Sequence, residues 1–121
     1  MSEQTYADLL AERVTQARAQ QAALSAAVEE MRAARSLSVA DDEHDPEGST
    51  VSLDQARDAA LLDRVERTLT ELAAASQRLA AGRYGTCEGC GATIPTERLR
   101  ARVEARHCVS CAGTSAGRRR R

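Results

Sequence analysis

Four cysteines carry the clearest chemistry in this 121-residue chain, and they come as two pairs, Cys87 with Cys90 and Cys108 with Cys111. Each C-x-x-C turn sets two sulfurs on one side of a tight loop. Two such turns can close a tetrahedron of thiolates around one ion, with Zn–S distances of about 2.3 Å. Seventeen residues separate the pairs, which suits a four-thiolate zinc site. Four sulfurs fill the coordination shell and leave no position for a catalytic water, so the zinc is expected to be structural. The competing readings are two disulfides or a redox-active C-x-x-C pair. No secretory leader is expected for this chain, which argues against the first. His107 adjoins Cys108 and is expected to be a surface residue beside a complete site.

The elements that must position these sulfurs are helical. The chain has no Trp, no Phe and two Tyr, Tyr6 and Tyr84, so its packing must rest on Ala, Leu and Val. From about Thr5 to Leu37 the apolar positions Leu10, Val14, Ala17, Leu24, Val28 and Met31 advance by threes and fours. Gln21 fills the one polar slot, and the pattern is that of a coiled-coil seam. Thr5 followed by Asp8 offers a helix start. The stretch from Ser38 to Thr50 holds Pro46, Gly48 and five acidic residues, and reads as a turn. A second helix is expected from Ser52, where Ser52 and Gln55 have capping-box spacing. Leu62, Val65, Leu69, Leu72 and Leu79 continue on one face, interrupted by Ser76. Gly82 then supplies a stop.

Two such helices joined by a short polar loop should fold back as an antiparallel hairpin. Thirty helical residues reach about 45 Å, at about 1.5 Å per residue. The expected fold class is therefore mainly α, a long antiparallel coiled-coil hairpin followed by a small four-cysteine zinc finger. The hairpin covers residues 1–83 with a tip loop at 38–51, the finger 84–112, and a basic disordered tail 113–121. Ile94, Leu99 and Val103 are too few to hold the finger together, so the metal is expected to replace a core.

Charge divides along the same line. Residues 1–83 carry 9 Arg against 15 Asp and Glu, whereas residues 84–121 carry 8 Arg against 3 Glu. An acidic arm therefore leads to a basic head. No apolar run approaches a membrane span, and a soluble, cytoplasmic protein is expected. No Ser-His-Asp set, phosphate loop or open metal site can be assembled, which excludes the common enzyme classes.

From Tyr84 to Ala112 the sequence Y-G-T-C-E-G-C-G-A-T-I-P-T-E-R-L-R-A-R-V-E-A-R-H-C-V-S-C-A resembles the DksA/TraR family of bacterial transcription factors. The aromatic-Gly before the first pair, Ile-Pro before E-R-L, and R-x-E-A before the second pair are all family-like. The hairpin ahead of the finger extends the resemblance over residues 5–112. Val103 departs from it, because the family commonly has proline there, and one turn is expected to loosen.

The resemblance implies that the protein binds RNA polymerase as a monomer, inserts its coiled coil into the secondary channel, and sets an acidic tip near the catalytic centre. It would change promoter output without reading DNA sequence. Some family members act with the alarmone ppGpp. The family's tip pattern is D-x-x-D-x-A; here Asp42 and Asp45 fit it, but Glu47 stands where alanine is expected. If Asp45-Pro46 is aligned instead, Gly48 and Thr50 follow, and the second acid and the alanine are both lost. That departure counts against a strong regulatory effect and against ppGpp as a partner. Carboxylates are natural partners for a hard cation such as Mg²⁺, although Asp, Pro and Gly are also ordinary turn residues.

Two other function classes fit parts of the sequence. A zinc-ribbon module could bind nucleic acid through Arg98, Arg100, Arg102 and Arg106 and the Arg118–Arg121 run, with salt-sensitive affinity. The chain lacks aromatic residues for stacking on bases. A structural coiled coil could instead self-associate through its helices.

Overall fold

A computed structural model of the chain describes residues 2–38 and 46–113, with side chains over 2–37 and 53–113. Its helices are α1 (Glu3–Ser38), α2 (Pro46–Ala80) and the short α3 (Thr96–Ala101). Among the described residues the strand-like feature is an isolated antiparallel bridge between Thr86 and Thr93.

Helix α1 contains neither Gly nor Pro and holds ten Ala, the strongest helix former, so nothing in its sequence interrupts the hydrogen-bond ladder. Its start lies earlier than Thr5. The Ser2 Oγ accepts a hydrogen bond from the Thr5 backbone N–H at 3.3 Å, which makes Ser2 the N-cap. The other residue of that reading, Asp8, accepts instead from the Gln4 side chain one turn away.

Helix α2 also begins before its expected start, at Pro46 rather than Ser52. Proline suits the first turn, where its missing N–H has no intrahelical partner to lose and its ring-locked φ is already helical. Ser52 thus lies inside the helix, and its spacing to Gln55 does not mark a start. The end is as expected. Arg83 N–H reaches Arg78 O at 2.8 Å and Gly82 N–H reaches Leu79 O at 3.2 Å, the paired bonds of a Schellman motif. Gly82 occupies the left-handed position at φ 74°, where a side chain would be strained.

By proximity of Cα atoms the residues fall into two compact units, one of Met1–Val14 with Thr70–Arg121, the other of Thr15–Leu69. In the first, Leu10 and Val14 of α1 share a groove with Leu79 and Ala80 of α2. In the second, Arg35 near the end of α1 donates to the Gln55 side chain near the start of α2 at 3.3 Å. Start meets end in one unit and end meets start in the other, so α1 and α2 form an antiparallel helical hairpin.

The seam follows its expected positions. Leu10, Ala17, Val28 and Leu72 are buried, and Val14, Gln21, Leu24, Met31, Leu62, Val65, Leu69 and Leu79 are partly buried. The exception is local. Ser76 is exposed, and the seam passes instead through the fully buried Ala75. Leu72, at 1% exposure, is the largest buried apolar side chain among the described residues of α2, and truncating it to Ala should cost about 2–5 kcal/mol.

Candidate metal centre

The first cysteine pair sits on a short turn. Cys87 N–H donates to Ala92 O at 2.8 Å, Gly91 N–H to Cys87 O at 2.9 Å, and Ile94 N–H to Gly85 O at 2.8 Å. The turn closes through Gly91, whose φ of 77° is the left-handed conformation expected after this pair. The second pair begins a helical turn over residues 109–113, where Ala112 N–H reaches Cys108 O at 2.9 Å.

The four sulfurs converge. Those of Cys87, Cys90, Cys108 and Cys111 all lie within 4.8 Å of one another, and Cys90 and Cys108 are 3.9 Å apart. A tetrahedral four-thiolate zinc site with about 2.3 Å bonds has sulfur–sulfur edges of about 3.8 Å, close to that spacing. All four cysteines are free thiols, and 3.9 Å is far beyond a disulfide bond. The set is therefore able to bind one zinc ion.

Its electrostatics point the same way. The Cys108 N–H donates to Cys87 Sγ at 3.3 Å and is the main reason that thiol is held down, to about 6. Cys111, whose thiol donates first toward Cys87, is pushed up to about 12. The Cys87 thiolate is thus favoured at the expense of that of Cys111, and a bound dication would favour the thiolate at both. His107 is not part of this sulfur cluster. Its backbone carbonyl accepts from Arg98 Nε at 2.8 Å.

The surroundings hold residues that spacing alone did not single out. Gly89 lies between the first two cysteines, and a Cβ there would stand 3.0 Å from Cys111 Sγ and 3.1 Å from Cys111 Cβ. The second pair can approach only because position 89 has no side chain. Cys87, Ile94 and Leu99 form a small buried cluster against which Tyr6, Tyr84 and Ala105 pack. Val103 is buried too, and its carbonyl accepts from the Tyr84 hydroxyl at 2.8 Å. The turn that lacks the family's proline is thus tied down by a tyrosine.

Arginines of the finger are largely engaged with the protein itself. Arg98 bonds His107 O, and Arg106 Nε pairs with Glu71 Oε2 at 2.7 Å, with Glu88 3.6 Å from its Nη1. Arg102 and Arg100 are exposed, the latter's carbonyl accepting from Arg13 of α1 at 3.3 Å. Two of the four residues expected to form a basic face therefore spend their guanidinium groups on internal contacts.

The expected tip residues fall outside what the structure describes. Asp42 and Asp45 lie outside the described residues, as does the side chain of Glu47, whose backbone belongs to α2. The Arg118–Arg121 run also lies outside them.

Four convergent thiols on a knuckle and a helical turn, carried by a helical hairpin, define a C4 zinc-finger protein. Residues 82–115 match the family model of the prokaryotic dksA/traR C4-type zinc finger. No curated protein matches the chain in sequence. Among solved structures, transcription factor DksA2 from Pseudomonas aeruginosa is similar, with a TM-score of 0.76 and 21% identity over 98% of this chain and 86% of that one. At that identity the likeness is one of fold. The finger is thus of the dksA/traR C4 type, and the fold is similar to that of DksA2. No described helix is long and apolar enough to cross a membrane.

Proposed function

We propose that this protein regulates transcription by binding RNA polymerase, with Cys87, Cys90, Cys108 and Cys111 holding one structural zinc. The hairpin enters the secondary channel, and Asp42, Asp45 and Glu47 act near the catalytic centre. The protein works as a cytoplasmic monomer, catalyses no reaction itself and reads no DNA sequence. The observation that carries this reading is the pairing of a dksA/traR-type finger with a helical hairpin whose fold matches DksA2 over 98% of the chain. The engagement of Arg98 and Arg106 weighs against a nucleic-acid module, because it commits two of the finger's guanidinium groups to partners within the protein.

The test separates binding from effect. Core RNA polymerase should be retained on the immobilised protein. Changing Asp42, Asp45 and Glu47 together to Ala should leave that retention about as it was and abolish the effect on transcription in vitro. Glu47→Ala alone completes D-x-x-D-x-A at residues 42–47 and should strengthen the effect. Full activity of the triple variant would reduce the acidic segment to a solvated turn. Failure to retain polymerase would remove the proposal.

A further inference from the structure

Arg78 sits on α2, outside the cysteine motif, and is buried to 7% exposure. Its Nη2 donates to Glu104 O at 3.3 Å and, at a longer 3.5 Å, to Ala105 O. Its Nη1 is also buried and has no hydrogen-bond partner among the described residues. Burial and the neighbouring Arg106 both disfavour its charge, and Glu88 and Glu71 compensate in part. A buried guanidinium whose Nη1 donors are unused is costly to keep for stability alone. An apolar side chain of similar volume would fill the space at lower cost.

What Arg78 holds explains its presence. Residues 103–107 lead directly into Cys108, and each of their carbonyls accepts a hydrogen bond from outside that run. Tyr84 Oη reaches Val103 O, and Arg78 reaches Glu104 O and Ala105 O. Glu88 N–H reaches Arg106 O at 2.8 Å, and Arg98 Nε reaches His107 O. None of these bonds involves a cysteine sulfur. The approach to the second cysteine pair is thus held by contacts with protein groups outside the sulfur cluster.

We propose that Arg78 is a positioning residue of the metal centre, holding residues 104 and 105 so that Cys108 and Cys111 are presented to zinc in a preformed arrangement. The inference rests on the zinc reading and adds to it a determinant of affinity in the hairpin. Residues that orient metal ligands without touching the metal typically change affinity by about 10- to 100-fold when replaced. Arg78 acts one step further back, through the backbone, and the lower end of that range applies.

The experiment compares the parent with Arg78→Met and Arg78→Lys. Zinc affinity is measured by competition with a chromophoric chelator, helicity by far-UV circular dichroism, and the metal-free finger by near-UV circular dichroism of Tyr84. Arg78→Met is expected to lose about tenfold or more in zinc affinity with unchanged helicity, and Arg78→Lys, which keeps a donor for the carbonyls, to recover part of the loss. The metal-free, reduced parent is expected to keep its near-UV tyrosine signal. Equal zinc affinity in the parent and Arg78→Met would overturn the inference. If Arg78→Met does not fold, the parent decides: loss of its tyrosine signal on metal removal would overturn the inference, and retention would uphold it. A parent that holds no zinc would overturn the metal reading itself, and this inference with it.

Discussion

Arg106 and Glu71 are 35 residues apart in sequence, yet Arg106 Nε lies 2.7 Å from Glu71 Oε2, with Nη2 3.4 Å from Oε1. This two-pronged pair joins the segment before the second cysteine pair to helix α2. The hydrogen bond to Glu71 is the main reason that Arg106 holds its proton more tightly than usual. Both side chains are more than a third exposed, so water screens the attraction. Glu71→Gln should therefore cost only about 0.5–1 kcal/mol in chemical denaturation, and the cost should shrink as salt is raised. A loss of several kcal/mol would show that the pair is more deeply involved in folding than its exposure allows.

Glycines 89 and 91 separate two kinds of requirement. A Cβ at Gly91 meets nothing within 4 Å but must adopt φ 77°, whereas one at Gly89 meets Cys111 at 3.0 Å. Gly91→Ala should cost about 1–2 kcal/mol of stability, the penalty for left-handed backbone, with little change in metal affinity. Gly89→Ala should displace a cysteine and weaken zinc binding by roughly tenfold or more. Chelator competition on both variants measures the difference, and the reverse order would contradict the packing described for Cys111.

Tyr84 gives the finger a signature at high pH. Burial is the main cause that pushes its hydroxyl up to about 12, and the nearby Tyr6 ring at 4.8 Å adds to it. The folded value lies above the unfolded one of about 10. The associated stability is thus complete below pH of about 10 and is lost as pH rises through about 12. Tyrosinate absorbance should show one residue ionising late, with unfolding in step. Tyr84→Phe should abolish the late titration and cost about 1 kcal/mol, because the Val103 carbonyl loses its donor.

Much of this arrangement was legible in the residues. The spacing of Cys87, Cys90, Cys108 and Cys111 is a geometric constraint written locally, and the sulfurs converge as it demands. The three-and-four steps of Leu10, Ala17 and Val28 likewise name the buried face of α1. Other features depend on neighbours distant in sequence. Gly89 gives no sign of its role until Cys111, 22 positions later, closes over it. Arg78 reads as a surface charge, although its place three residues after Ala75 and beside Leu79 puts it at the edge of the apolar stripe. The helix starts at Ser2 and Pro46 differ from the expected Thr5 and Ser52 because several Ser, Thr and Pro residues compete as start signals. Only the backbone decides among them.

The proposed function turns on the acid-bearing segment between α1 and α2 working inside RNA polymerase. The most direct measurement places a photo-crosslinker at position 45 and identifies what it labels in the complex with the polymerase holoenzyme. The proposed function predicts labelling of the catalytic subunit beside its secondary channel. Labelling of the σ factor or of DNA, or no labelling at all, would contradict it.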